Sequence, residues 1–258
     1  MSMVIREMSG DIAVLTLNNP AQYNALAWEL LRELNAALDG TITGGMGRAI
    51  LLTGAGKGFC AGAQFGGDTF DQGDRIGAAM RDLVNPVIEK MRKSPIPIVT
   101  AINGPAAGAG FGIALAGDIV IAARSARFIL SFVRLGAVLD GGTSVLLQRS
   151  IGVARARALA LTGEPLSAEK AAEWGLVWKC VSDETLMDEA MTAARTLAAG
   201  PPIAIGSIKR QLEEAWVSDL PTALDREAIA QSGVFATDDL REGAAAFVEK
   251  RQPRFVGR

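Results

Sequence analysis

Two turns made of small residues carry the clearest chemical signal in the chain. Cys60-Ala61-Gly62-Ala63-Gln64-Phe65 follows an apolar run at 48–53 that reads as a strand, and Gly108-Ala109-Gly110-Phe111-Gly112 follows a second such run at 96–102 and leads into a short helix. Turns of this composition leave backbone N–H groups uncovered, and a helix N-terminus adds positive potential. Side by side, two of them could offer two N–H groups to one oxygen, which stabilises an enolate or a tetrahedral oxyanion. On local grounds the same glycines could equally serve close backbone packing. Acid-base chemistry is tightly bounded, because the chain has no His. That excludes Ser-His-Asp and Cys-His triads and His-ligated metal sites, leaving Asp, Glu, Lys, Tyr or Cys to move protons. Asp140 precedes Gly141-Gly142, and by itself an Asp before two glycines reads as a turn former.

Other polar groups read as structural. Asp118 sits in an apolar run and is expected to bond backbone. Arg134 is expected at solvent or against an anionic group. Asp68, Asp71 and Asp74 read as a solvated face, and Cys60 as a small core residue. Gly54-Ala55-Gly56-Lys57-Gly58 resembles a phosphate loop at first glance. However, Leu51 and Gly58 stand where that pattern needs Gly and Ser or Thr, so it reads as a plain turn.

These residues must be held by a sizeable core. The chain has 258 residues, 49% hydrophobic and 21% charged, which argues against disorder. Lys plus Arg is 26 against 28 Asp plus Glu, so a nucleic-acid partner is not expected. Aromatics are 5%, with Tyr23 the single tyrosine, which disfavours a stacking platform. Cys60 and Cys180 form no C-x-x-C, and the N-terminus lacks the apolar core of a signal peptide. A reduced, cytoplasmic protein without metal or redox cofactor is therefore expected. The apolar stretch 96–123 is broken by Pro and Gly and reads as buried core rather than a membrane span.

The periodicities predict a hairpin at 3–18, a helix carrying Leu26, Leu30, Leu34 and Leu38, and a strand at 48–53. Next come a helix at 74–91, a strand at 96–102, a short helix at 110–116, and strands at 118–123 and 127–130. Helices at 143–149, 155–161 and 167–173, a strand at 176–181, and only helices from 185 onward complete the series. The expected organisation is a mixed α/β core at 1–197 and a helical region at 198–258.

At the two turns a family resemblance becomes specific. Gly56-Lys57-Gly58-Phe59-Cys60-Ala61-Gly62-Ala63 and Gly104-Pro105-Ala106-Ala107-Gly108-Ala109-Gly110 resemble the two oxyanion segments of the crotonase, or enoyl-CoA hydratase/isomerase, family. Asn19-Pro20, Asn24-Ala25-Leu26, Gly175-Leu176-Val177 and the C-terminal Glu242-Gly243, Phe247, Glu249-Lys250-Arg251 and Phe255 match further family motifs in order, along almost the whole chain. The resemblance implies a spiral of ββα turns followed by helices that build homotrimers, often paired into hexamers. It implies acyl-CoA thioesters as substrates, with coenzyme A as part of the substrate and no other cofactor. It places the N–H groups of Ala63 and Ala109 on the thioester oxygen. Asn24, Ala25, Ala61 and Phe65 would lie near the CoA, and Phe247 and Lys250 would reach a CoA on the same or a neighbouring subunit.

The chain also departs from the family pattern. Hydratases of the family resemble one another in two Glu residues, and the matching positions here are Gly112 and Phe132. Adding water needs activation of water and delivery of a proton to carbon, so hydration is not expected. Gly136-Ala137-Val138-Leu139-Asp140-Gly141-Gly142 instead resembles the isomerase segment, with Asp140 at its Asp and Leu139 replacing a Pro. The flanking runs 116–126 and 132–135 are similar to those of phenylacetate-pathway isomerases. The expected activity is a 1,3-proton shift with Asp140 as base, in a pocket kept dry by Phe65, Phe111, Phe132 and Val138. A thioesterase or dehalogenase type of reaction with Asp140 as nucleophile, and an inactive acyl-CoA binder, are the alternatives.

Overall fold

The parallel strands at the centre are almost entirely apolar, which is how strands covered on both faces read. The computed structural model describes residues 2–64 and 73–258. A hairpin of β1 (Val4–Ser9) and β2 (Ile12–Leu17) opens the chain in antiparallel register, Val4 opposite Leu17. After α1 (Trp28–Ile42) comes β3 (Ala49–Gly54), every residue of which is buried. The helical run α2 (Gly73–Ala79), a π turn Met80–Val84 and α3 (Asn85–Lys93) precedes β4 (Ile98–Ile102). Then follow β5 (Ala106–Ala107), α4 (Ala109–Leu115), β6 (Ile119–Ala123) and β7 (Arg127–Ile129). The remainder is α5 (Thr143–Thr162), β8 (Leu166–Ser167), α6 (Ala168–Glu173), β9 (Lys179–Val181), α7 (Leu186–Ala199), α8 (Pro202–Ala215), α9 (Leu220–Phe235) and α10 (Asp238–Glu249).

The strands form one sheet in the order β1-β2-β3-β4-β6-β9, parallel from β2 onward, and a small second sheet β5-β7-β8. Alternation along each strand splits the core in two. Ile50, Leu52, Ile98 and Ile102 face the larger cluster with the leucines of α1. Ala49, Leu51, Val99, Ala101 and Ile121 face Leu186, Ala190, Ala194 and Ala198 of α7. Thus α7 belongs to the sheet's packing. The helices after it bury far less: α8 and α9 have no fully buried residue.

Several details differ from the periodicity reading. Leu26 is in phase with the helical leucines but lies before α1, in an extended bridge to Ala63, because its N–H donates to Gly62 O at 2.7 Å. The predicted strand at 176–181 is confined to Lys179–Val181, since Leu176 N turns back to Ala171 O at 2.8 Å. The two helices expected at 143–161 are α5, bent at Gly152, whose φ is 78°. The stretch 96–123 is divided among β4, β5, α4 and β6, and no helix among the described residues is long and apolar enough to cross a membrane. Asp118 bonds backbone as expected, its Oδ2 accepting from Ile98 N at 2.7 Å, and it also pairs with Lys209 at 2.6 Å. Cys60 is fully buried, and burial pushes its thiol up to about 12, which fits a core residue.

Candidate active site

The strand-ending turns after β3 and β4 lie directly against each other. Phe59 N and Cys60 N both donate to Pro105 O at 3.1 Å, and Ala107 N returns a bond to Cys60 O at 2.9 Å. Close approach needs glycine here: a Cβ on Gly62 would stand 2.7 Å from Ala107 O, and Gly62 has φ +85°. Gly108, with φ 52° and ψ −129°, breaks the chain direction so that Ala109 begins α4.

Two N–H groups emerge from this arrangement without partners. Leu26 N bonds Gly62 O and Gln64 N bonds Leu26 O, so residues 62 and 64 spend their groups on one side of the chain. On an extended chain the intervening residue points to the other side, which turns the Ala63 N–H away from Leu26. Ala109 is the first residue of α4, where an N–H has no intrahelical acceptor. No backbone acceptor among the described residues takes either group. Both residues line one cavity of about 240 Å3.

Asp140 lines the same cavity. Its loop is seated on the start of α4: a Cβ on Gly141 would meet Ala109 Cα at 3.2 Å. Thr143 holds the loop from below, its N and Oγ1 donating to Asp140 O at 3.0 and 2.7 Å. The carboxylate itself is left bare. Its Oδ1 is buried with no hydrogen-bond partner among the described residues, and burial pushes the carboxyl up to about 6. A buried, unsatisfied carboxylate oxygen in the same cavity as two unpaired N–H donors is costly to keep and is a mark of a reacting site.

The remaining wall is apolar: Leu26, Trp28, Leu31, Ile76, Met80 and Val84, with Gln64 at the rim the other polar side chain. Asp140 is the only titratable residue among the described lining residues. These wall residues were not legible as a site. Trp28 and Leu31 lie off the main leucine stripe of α1, and that offset was the available signal.

The expected site residues divide accordingly. Asp140, Ala63 and Ala109 come together around one cavity. Asn24 does not offer its side chain to a ligand: Oδ1 accepts from Asn19 N at 2.8 Å, and Nδ2 donates to Ala55 O, Gly58 O and Phe59 O at 3.0, 2.8 and 3.2 Å. It is a buried staple beneath the first turn. Ala25 is buried beside it, whereas Ala61 is exposed. Phe65 lies outside the described residues, as do Asp68 and Asp71. Phe132 covers Gly108, its ring atoms 3.9 Å from where a Cβ there would be, and does not line the cavity. Phe111 is a core residue set edge-on to Phe128 at 5.6 Å, and Val138 is 83% exposed. The dry wall expected from Phe111, Phe132 and Val138 is therefore supplied by α1 and the segment around the π turn. Phe247, 85% exposed, and Lys250 sit at the end of α10 and do not border the cavity of their own chain. Arg251 is committed to Glu242 and Glu249, while Lys250 and Arg254 are in no ion pair among the described residues.

Gly112, at one of the two hydratase Glu positions, is closed by geometry. A Cβ there would stand 2.0 Å from Gly141 O, so any side chain would displace the loop that carries Asp140. The site thus lacks one carboxylate and uses its place to seat another.

A family profile described as enoyl-CoA hydratase/isomerase matches residues 7–258. The chain belongs to the enoyl-CoA hydratase/isomerase family. Over its full length this family member is 41% identical to the 1,2-epoxyphenylacetyl-CoA isomerase of Escherichia coli (strain K12), with all of both chains covered. It is 40% identical to a probable enoyl-CoA hydratase of Rhodobacter capsulatus, covering 98% of this chain and 97% of that one. A crystal structure of a putative enoyl-CoA hydratase/isomerase from Mycobacterium abscessus superposes with a TM-score of 0.93 at 36% identity, covering 99% and 100% of the two chains. The sheet order and the paired turns are therefore those of the crotonase fold, and the resemblance to the phenylacetate-pathway isomerases holds along the whole chain.

Proposed function

We propose that the protein is an isomerase of unsaturated acyl-CoA thioesters, moving a carbon–carbon double bond by a 1,3-proton shift with Asp140 as the base. The observation that carries this reading is the single unpaired carboxylate in an apolar cavity with the two free N–H groups of Ala63 and Ala109. The two N–H groups hold the thioester oxygen and stabilise the charge that builds on it as a proton leaves carbon. Asp140 takes a proton from one end of the three-carbon unit and returns it to the other end of the dienolate. Its raised proton affinity makes both transfers possible, and one carboxylate is sufficient because the same group accepts a proton at one carbon and delivers one at the other. The apolar wall keeps water from the intermediate. The 41% identity to an isomerase of a CoA thioester bearing a modified phenyl ring supports a compact, ring-bearing acyl group.

The test is a panel of 2-enoyl-CoA and 3-enoyl-CoA thioesters followed by mass and ultraviolet absorbance. Isomerisation leaves the mass unchanged, and water addition should be negligible. Robust hydration would overturn the reading, and release of free CoA thiol would replace it with hydrolysis.

We further propose that the active assembly is a homotrimer or a pair of trimers. Ile208, Leu212 and Trp216 of α8 and Leu224, Ile229 and Phe235 of α9 are all more than half exposed in one chain, an apolar surface that a second copy would cover. In that assembly Phe247 and Lys250 become available to a neighbour's CoA. Sedimentation should give three or six chain masses; a stable monomer would refute this.

A further inference from the structure

One wall of the cavity comes from the helical run between Gly73 and Lys93, which contributes Ile76, Met80 and Val84. Four residues of α-helix overshoot a full circle by about 40°, so two such steps would carry Val84 roughly 80° away from Ile76. Instead, Met80–Val84 is wound as a π turn. A π turn rotates less per residue and takes back about the 40° gained before it, so Val84 returns to the line of Ile76. The cause lies in the sequence: Pro86 has no N–H to return to the carbonyl of Asp82, and its ring crowds that carbonyl, so the turn widens.

Asn35 of α1 reaches across to a carbonyl of this turn. Its Nδ2 donates to Leu83 O and to Leu31 O, both at 2.9 Å. Leu31 lines the cavity from α1, and Leu83 lies between Met80 and Val84 on the other wall. The Oδ1 of the same amide is buried with no partner among the described residues. A Leu of the same size would not carry that cost, so the amide is retained for its donors rather than for stability alone.

We propose that Asn35 is a positioning residue for acyl specificity: by tying the π turn Met80–Val84 to α1, it sets the width of the pocket that receives a compact, ring-sized apolar acyl group. The proposal rests on the acyl-CoA reading above and deepens it. The cavity, about 240 Å3, exceeds the roughly 150 Å3 that holds a benzene ring. When the tie is lost, the turn is no longer held to α1, it relaxes and Val84 moves off the wall.

The experiment reads binding rather than turnover, so it does not depend on which reaction follows. Calorimetric Kd values for CoA and for phenylacetyl-CoA are compared in the parent, Asn35→Leu and Pro86→Ala. Pro86→Ala restores the missing N–H, permits a plain α-helix and so moves Val84 without touching Asn35. Both variants should bind CoA within about twofold of the parent and lose about tenfold of the preference for phenylacetyl-CoA over CoA, the range carried by one or two apolar contacts. An unchanged preference in Asn35→Leu overturns the proposal, as does a loss of CoA affinity as large as the loss of phenylacetyl-CoA affinity. A parent-like preference in Pro86→Ala alone also overturns it, because the π turn would then not set the wall. If Asn35→Leu does not fold, Asn35→Ala, which also removes the Nδ2 donor, takes its place. A parent that binds neither CoA nor its thioester would defeat the acyl-CoA reading and this proposal together.

Discussion

Replacing Asp140 with Asn should give a folded protein that binds acyl-CoA and isomerises it about 10²- to 10⁴-fold more slowly, the usual worth of a positioned acid-base group. The two side chains have nearly the same shape, and the loop is held through backbone: Asp140 O accepts from Thr143, and Gly141 packs on Ala109. The loss should therefore fall on kcat rather than KM. Exchange of substrate α-protons with deuterated solvent should vanish with it. Full activity and exchange in Asp140→Asn would reduce Asp140 to a turn residue.

Acidity should act in the same direction. Burial raises the Asp140 carboxyl from 3.8 to about 6, and the proposed role as base needs the ionised form. Isomerisation by the parent should thus be low below about pH 6, rise through it and level off above. Stability should run the opposite way. A group whose folded pKa is raised contributes fully below its unfolded value and loses that contribution as pH rises through the folded one. At pH 8 the parent keeps a buried, unpaired charge that Asn lacks, so Asp140→Asn should melt no lower than the parent and above it if the loop is undisturbed. Opposed effects on rate and stability are the signature of a group retained for chemistry.

The second large effect concerns Ala109. Proline fits the first position of a helix, where its fixed φ is suitable and no intrahelical bond needs its N–H. Ala109→Pro therefore removes one of the two proposed oxyanion donors from α4 without breaking the helix, and should lower kcat by about 10²- to 10³-fold. Ala109→Gly, which keeps the N–H, should lose far less and separates the donor from the packing against Gly141. Single-turnover rates of the two variants decide the matter. A Pro variant as fast as the parent, or a Gly variant as slow as the Pro one, would remove Ala109 from the oxyanion site.

Much of this architecture was legible because it depends on local order. The strands β3, β4 and β6 read directly, since a short run of mostly apolar residues bounded by polar or turn-forming residues fits a buried strand. The two turns read as N–H presenters because small residues in sequence leave backbone bare, and the absence of His narrowed the chemistry before any contact was known. The two-residue strands β5 and β8 were not legible, because their pairing is defined by distant partners such as Cys60 opposite Ala106. The same holds for Leu26, whose spacing fits a helix but whose N–H is captured by Gly62.

For the site the division is similar. Asp140 was a candidate from the sequence, yet an Asp before two glycines is equally a turn residue; its buried, partnerless Oδ1 exists only once the loop is pressed on α4. Asn24 looked like a ligand contact, and the fold spends its whole amide on four backbone groups. Gly112 looked like a missing carboxylate, and the fold fills that space with Gly141. The apolar wall of α1 and the π turn had no sequence signal strong enough to single it out. By itself, then, the sequence determined the central strands, the two small-residue turns and the set of groups able to move a proton. Tertiary structure decided which of those groups share a cavity and which are already satisfied. The reason is physical: strand and turn preferences act between neighbours along the chain, whereas desolvation and hydrogen-bond saturation depend on atoms that are remote in sequence.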